Sequence, residues 1–146
     1  KQAVEEFKTS LSIDLQDSWA HSCLDILYSR EGMKEQASAE RNAALDSQPD
    51  DAWAHFECGQ VYEKYGFYDQ AEAQILKAIH LVPDFAEAFN YLGRIYQRKN
   101  DTAKAIEALQ KACNLEPRNA DYLDDLADTC LRAGKPLEAM ALYKKL

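Results

Sequence analysis

Residues 86–119 read AEAFNYLGRIYQRKNDTAKAIEALQKACNLEPRN, and the features of this stretch return along the chain with a period of 34. Pro117 near its end is preceded at that interval by Pro83 and Pro49, and Ala105 within it is flanked by Ala37, Ala71 and Ala139. A unit of this length holds two short helices that cannot bury an apolar face alone, so successive units must stack around one continuous core. Units that end two residues after each proline fall at 18–51, 52–85 and 86–119 without gaps, followed by a shortened unit at 120–146. Residues 1–17 fit the second half of one more unit, with Ala3, Phe7, Ser10 and Ile13 in phase and Leu15 where proline stands elsewhere. The expectation is an all-α chain of nine helices joined by short turns, with no room for a sheet.

Numbering the places from Ser18, Ala52, Ala86 and Ala120, the fourth holds His21, His55, Phe89 and Leu123, and the seventh holds Leu24, Cys58, Leu92 and Leu126. Tyr28, Tyr62 and Tyr96 follow at the eleventh. That i, i+3, i+7 spacing is one face of a helix packed on a partner. Gly32, Gly66, Asn100 and Gly134 at the fifteenth place stand where the first helix must stop in a left-handed conformation. The alanines at the twentieth place, with Ala44, Ala78 and Ala112 at the twenty-seventh, keep side chains small where two helices cross closely. Ile75, Leu109 and Tyr143, with Leu81 and Leu115, supply the apolar face of the second helix, and the proline ends it. The 18–51 unit departs from this scheme. Asp25 stands where Gly59 and Gly93 stand, Arg41 where Ile75 and Leu109 stand, and Ser47 where Leu81 and Leu115 stand. These polar residues predict looser packing there, or a side chain that meets water or another surface, with lower local stability in that unit.

Composition narrows the function classes. The 146 residues are 47% hydrophobic and 29% charged with a formal charge of −8, an ordinary globular balance that disfavours nucleic acid or an anionic membrane as a partner. No apolar run approaches the roughly 18 residues that span a bilayer, and the start, Lys1-Gln2-Ala3-Val4-Glu5-Glu6-Phe7, has no signal-peptide core. Cys23, Cys58, Cys113 and Cys130 lack zinc or redox spacing and fall where small apolar side chains are wanted, so they read as reduced, buried thiols and point to the cytoplasm. Asn100-Asp101-Thr102 matches a glycosylation sequon, a pattern too short to weigh much. His21 and His55 have no carboxylate or thiol partner at one-turn spacing that would complete a metal site, and they read as core histidines, not metal ligands. No Ser or Cys has the companions of an activated nucleophile. The expectation is a chain with no catalytic, cofactor or metal site.

The in-phase residues resemble the tetratricopeptide repeat family over essentially the whole chain. Phe89, Leu92-Gly93, Tyr96, Ala105, Leu109, Ala112 and Pro117 look like the family's large residue, Leu-Gly pair, tyrosine, first alanine, large apolar residue, second alanine and proline. The 52–85 unit matches at Gly59, Tyr62, Gly66, Tyr68, Ala71, Ile75, Ala78 and Pro83. The resemblance implies a single domain folded as a right-handed superhelical α-solenoid, with first helices lining a concave groove that holds a peptide or helix of a partner protein. The groove places then carry Trp19, Ile26 and Arg30, next Trp53, Phe56, Gln60 and Lys64, next Asn90, Arg94 and Arg98, and last Asp124 and Asp128. Trp19, Trp53 and Phe56 would anchor an apolar ligand residue, with its acidic groups near Arg94 and Arg98. Two alternatives stand beside this reading: the tryptophans pack on the preceding second helix, and Arg94 and Asp128 neutralise each other across adjacent units. The Lys and Asn pattern by which some members clamp a chaperone's C-terminal carboxylate is absent, since Phe56, Gln60, Asn90 and Arg94 stand at those places.

The expected function is a protein-interaction scaffold within a longer protein, since Lys1 falls in mid-repeat. The alternatives are a regulatory or substrate-docking arm of a larger enzyme, and self-association. Met140, Tyr143 and Leu146 would face solvent at the last helix, so either further repeats or a second copy, giving a homodimer through terminal helices, is expected to cover them.

Overall fold

Asp17, Asp51, Asp101 and Asn119 each begin a helix for a local reason. Each side-chain oxygen accepts a hydrogen bond from a backbone N–H two or three residues on, satisfying donors the first turn leaves unpaired. The computed structural model describes residues 2–13, 17–46 and 51–144, apart from the side chains of Gln2, Ala3 and Leu45. Leu15, Ser47, Pro49, Leu146 and the Ala3 side chain, all singled out above, lie outside the described residues. The helices are α1 (Gln2–Ile13), α2 (Ser18–Arg30), α3 (Lys34–Asp46), α4 (Ala52–Lys64), α5 (Tyr68–Leu81), α6 (Ala86–Arg98), α7 (Thr102–Leu115), α8 (Ala120–Arg132) and α9 (Pro136–Tyr143). No strand occurs among the described residues.

Each first helix ends at the fifteenth place in a left-handed residue. Asn100 adopts φ 60° there, as Gly32, Gly66 and Gly134 do at 72° to 83°. In the 52–85 unit, the Phe67 N–H donates to the Tyr62 carbonyl at 2.9 Å and the Gly66 N–H to the Glu63 carbonyl at 3.0 Å, which satisfies the last carbonyls and turns the chain back. The same pair of bonds recurs at Gly32, Asn100 and Gly134.

The chain forms two compact units, residues 1–81 and 82–146. In the first, α2 packs on α1, α3 and α4, and α4 packs on α5. Leu24, Tyr28 and Ala37 are buried there, with Val4, Phe7, Leu11 and Met33 packed around them. In the second, α6 packs on α7 and α8, and α8 packs on α7 and α9. Close approach of paired helices depends on the eighth place. A Cβ at Gly59 would lie 2.6 Å from Ile75 Cδ1, and one at Gly93 would lie 2.5 Å from Leu109 Cγ, so glycine there admits the large aliphatic residue of the facing helix.

The 18–51 unit solves the same contact with charge, which corrects the expectation of looser packing. Asp25 is fully buried, and Arg41 donates to it twice, from Nε at 3.0 Å and from a terminal guanidinium nitrogen at 2.9 Å. Ser29 Oγ and the Tyr62 hydroxyl, the latter from α4, also donate to this carboxylate. Asp25 and Arg41, two of the three residues that break the repeat pattern, are therefore partners of one another. The histidines need a smaller correction. His55 is buried, but His21 is only half-buried and its Nδ1 lies 2.7 Å from Glu40 Oε2. His55 Nδ1 lies 2.7 Å from Gln74 Oε1. Both partners come from the facing helix 19 residues on, beyond the reach of one-turn spacing.

Candidate peptide-binding surface

The first helices of the 1–81 unit expose two large aromatic side chains. Trp19, at the start of α2, is 44% exposed, and Trp53, at the start of α4, is 53% exposed. Neither stands unsupported. The Trp19 ring meets Phe7 of α1 edge-on at 5.4 Å, and the Trp53 ring tilts onto Phe56 at 5.3 Å. Trp19 therefore combines the two readings of the sequence: it packs on the preceding second helix and still presents part of its indole to solvent.

Beside Trp19 runs a groove of about 450 Å³ lined by Trp19 itself and by Glu57, Gln60, Val61 and Lys64 of α4. The four α4 residues fall on one face because they are spaced three and four apart. Two further expected groove residues lie elsewhere. Phe56 is fully buried and Ile26 nearly so, because both project into the helix packing, and neither can serve as an exposed anchor in this conformation. Tyr65, directly after α4, was not marked by its place in the repeat. Its ring is exposed, with the Arg30 guanidinium 5.0 Å and the Lys64 ammonium 5.9 Å from its centroid. The sequence signal that could have found it is a non-periodic aromatic between a basic residue and a turn glycine.

In the 82–146 unit the corresponding places are more self-satisfied. Asn90 is buried and donates to Asp125 at 2.8 Å, and Gln97 donates to Thr129. Asp128 pairs with Arg132 one turn along α8 at 2.6 Å, while Arg94 rests on the Tyr91 ring at 4.6 Å. The expected neutralisation of Arg94 by Asp128 is replaced by these pairs, since four residues along one helix bring opposite charges together at little cost in order. Asp124 and Arg98 are exposed.

Burial pushes the Cys23 thiol up to about 12 and raises Cys58 and Cys130 as well, so these three are held as neutral thiols. Burial also pushes the His55 imidazole below its usual range, against the opposing effect of its bond to Gln74. No group of three or more His, Cys, Asp or Glu side chains is placed to hold a metal ion among the described residues. No helix among them is long and apolar enough to cross a membrane.

A family model described as tetratricopeptide repeat matches residues 86–119. No curated protein matches the chain in sequence. Among solved structures, one titled as the crystal structure of MamA is 22% identical over 97% of this chain and 83% of that one, with a TM-score of 0.72. A MamA structure from Desulfovibrio magneticus RS-1 is 24% identical over 99% of this chain and 81% of its own, with a TM-score of 0.69. The Pseudomonas aeruginosa PilF structure is 23% identical over 95% of this chain and 64% of its own, with a TM-score of 0.65. Identities of this order carry the fold. Residues 86–119 thus match the tetratricopeptide repeat model, and the chain as a whole is similar in its all-α fold of packed helix pairs to these solved structures.

Proposed function

We propose that this chain is a non-catalytic interaction module that holds a peptide or helix of a partner protein on the surface of its first helices. One observation carries the reading: Trp19 and Trp53 are each about half exposed on α2 and α4, and Trp19 borders an open groove. Exposed indoles are costly to leave in water and supply large contact area at little entropic cost, so they are the residues a binding surface uses as anchors. The elevated thiols supply no ready nucleophile, which agrees with a binding role. Four free, buried cysteines support a reducing compartment such as the cytoplasm. Arg94, Arg98, Asp124 and Asp128 extend the reading to the polar first helices of the second unit.

The test compares proteins captured by the chain with those captured by Trp19→Ala/Trp53→Ala. Both side chains are solvent-facing, so circular dichroism should show helicity unchanged. Proteins that bind the parent chain should be lost from the variant. An identical captured set would place the function away from the first helices.

A second reading has its own observation. Leu137, Met140 and Tyr143 of α9 are 76%, 49% and 40% exposed, an apolar face that a second copy would cover. Light scattering across protein concentrations should then show a dimer that Leu137→Glu/Met140→Glu reduces to monomer. A constant monomer mass removes this reading.

A further inference from the structure

Arg30, Tyr65 and Lys64 form a cluster that the repeat pattern does not require. Both cations lie within 6 Å of one exposed tyrosine ring. Among the described residues no carboxylate pairs with either of them. Some other cations of this −8 chain are matched, as in Arg41 with Asp25, Lys104 with Asp101, Arg132 with Asp128 and Lys135 with Glu138. Two unmatched positive side chains held beside one ring leave a local positive site on an acidic protein. Lys64 also lines the Trp19 groove, so the cluster and the indole belong to one continuous surface.

We infer that this surface takes an acidic peptide, its Asp or Glu side chains bound by Arg30 and Lys64 and a large apolar residue seated against Trp19. The inference rests on the reading that the first helices hold a peptide, and it names the chemistry of that peptide. Its polarity is fixed by Glu57, which lines the groove with Trp19 and opposes a carboxylate at the apolar end. Its spacing follows from α2. Trp19 and Arg30 are 11 residues apart, about 16 Å along a helix axis. An extended chain covers that distance in about five residues. Charges beyond about 8 Å are screened at physiological ionic strength, so of the chain's negative charge only the carboxylates beside the cluster, Glu31, Glu57 and Glu63, act on a bound peptide along with Arg30 and Lys64.

The experiment selects phage-displayed random dodecapeptides on the whole chain, on Arg30→Glu/Lys64→Glu and on Trp19→Ala/Trp53→Ala, with folding of each checked by circular dichroism. The expected pool from the parent chain carries Asp or Glu four to six residues from Trp, Phe or Leu. The charge-reversed chain should lose the acidic preference and keep the apolar one, and a synthetic peptide from the parent pool should bind it at least about tenfold more weakly. Parent pools without acidic enrichment, or acidic enrichment that survives charge reversal, overturn the inference while leaving a peptide surface in place. If the tryptophan variant selects the same pool as the parent, or the parent pool does not exceed that of bare support, the peptide-surface reading itself fails and takes this inference with it.

Discussion

Asp25 and Arg41 occupy two places that the next unit fills with Gly59 and Ile75, and the 86–119 unit with Gly93 and Leu109. In those units a missing Cβ lets an aliphatic side chain reach the facing helix; in the first, a buried carboxylate receives a forked guanidinium at 2.9 to 3.0 Å. Taking Arg41 away strands the buried Asp25 charge, so Arg41→Leu alone should cost about 3–5 kcal/mol in urea denaturation, whereas Asp25→Gly leaves a partly exposed guanidinium and should cost less. Combined, they rebuild the glycine–aliphatic contact of the following units, and the loss should fall well short of the sum of the single losses. A residual deficit of about 1–3 kcal/mol is expected from the Tyr62 hydroxyl, which then loses its acceptor. Strictly additive losses would show that the two side chains do not act as a pair. Read singly, each residue is a defect in the pattern, which is why the sequence suggested a loose unit. The pairing becomes visible only when the eighth and twenty-fourth places are recognised as touching, and periodicity within one helix does not contain that information.

At the level of the helices, far more could be read in advance. The 34-residue period, the turn residue at the fifteenth position and the alanines at the twentieth locate the helices seen among the described residues, because each is a local or repeating demand. A left-handed turn, a first-turn acceptor and a small residue at a crossing are written at fixed positions. Side-chain exposure is different, since it depends on what the facing helix contributes. Phe56 and Trp53 are three residues apart on α4, yet one is fully buried and the other half exposed. Sequence therefore marked helices that carry exposed aromatic side chains but mixed interior residues with surface ones, while Tyr65 escaped because it sits outside the helical repeat. The helix starts also differ in strength. Asp51 accepts from both Trp53 and Ala54 at the head of α4, whereas Phe85 precedes α6 without a side-chain cap. Asp51→Ala should lower stability by about 1 kcal/mol in thermal or urea unfolding, and Asp51→Asn should restore most of it. No change on Asp51→Ala would mean that packing alone holds the first turn of α4.

Across the whole molecule the polar substitutions are unevenly distributed. His21, His55 and His80 all lie in residues 1–81, and residues 82–146 contain no histidine. The second unit has Phe89 and Leu123 at the place of His55. Burial, with Lys77 adding to it and Gln74 and Asp51 opposing, holds the His55 imidazole below its usual value. The sign of the effect on stability follows. As pH falls below about 6.5 the unfolded chain takes up a proton that the folded chain resists, so stability present above that pH is lost toward the lowered folded value. Because stability in repeat arrays is largely a sum of local terms, this loss should stay in the unit that contains the histidine. Native-state hydrogen exchange, corrected for intrinsic rates, should show the amides of α4 and α5 losing protection between pH 7 and about 5 while those of α6 to α8 keep theirs. His55→Phe with Gln74→Ala copies Phe89 and Ala108 at the same two places and should remove the difference between the units. Equal loss in both units, or a difference that persists in the double variant, would assign the acid response to groups other than His55.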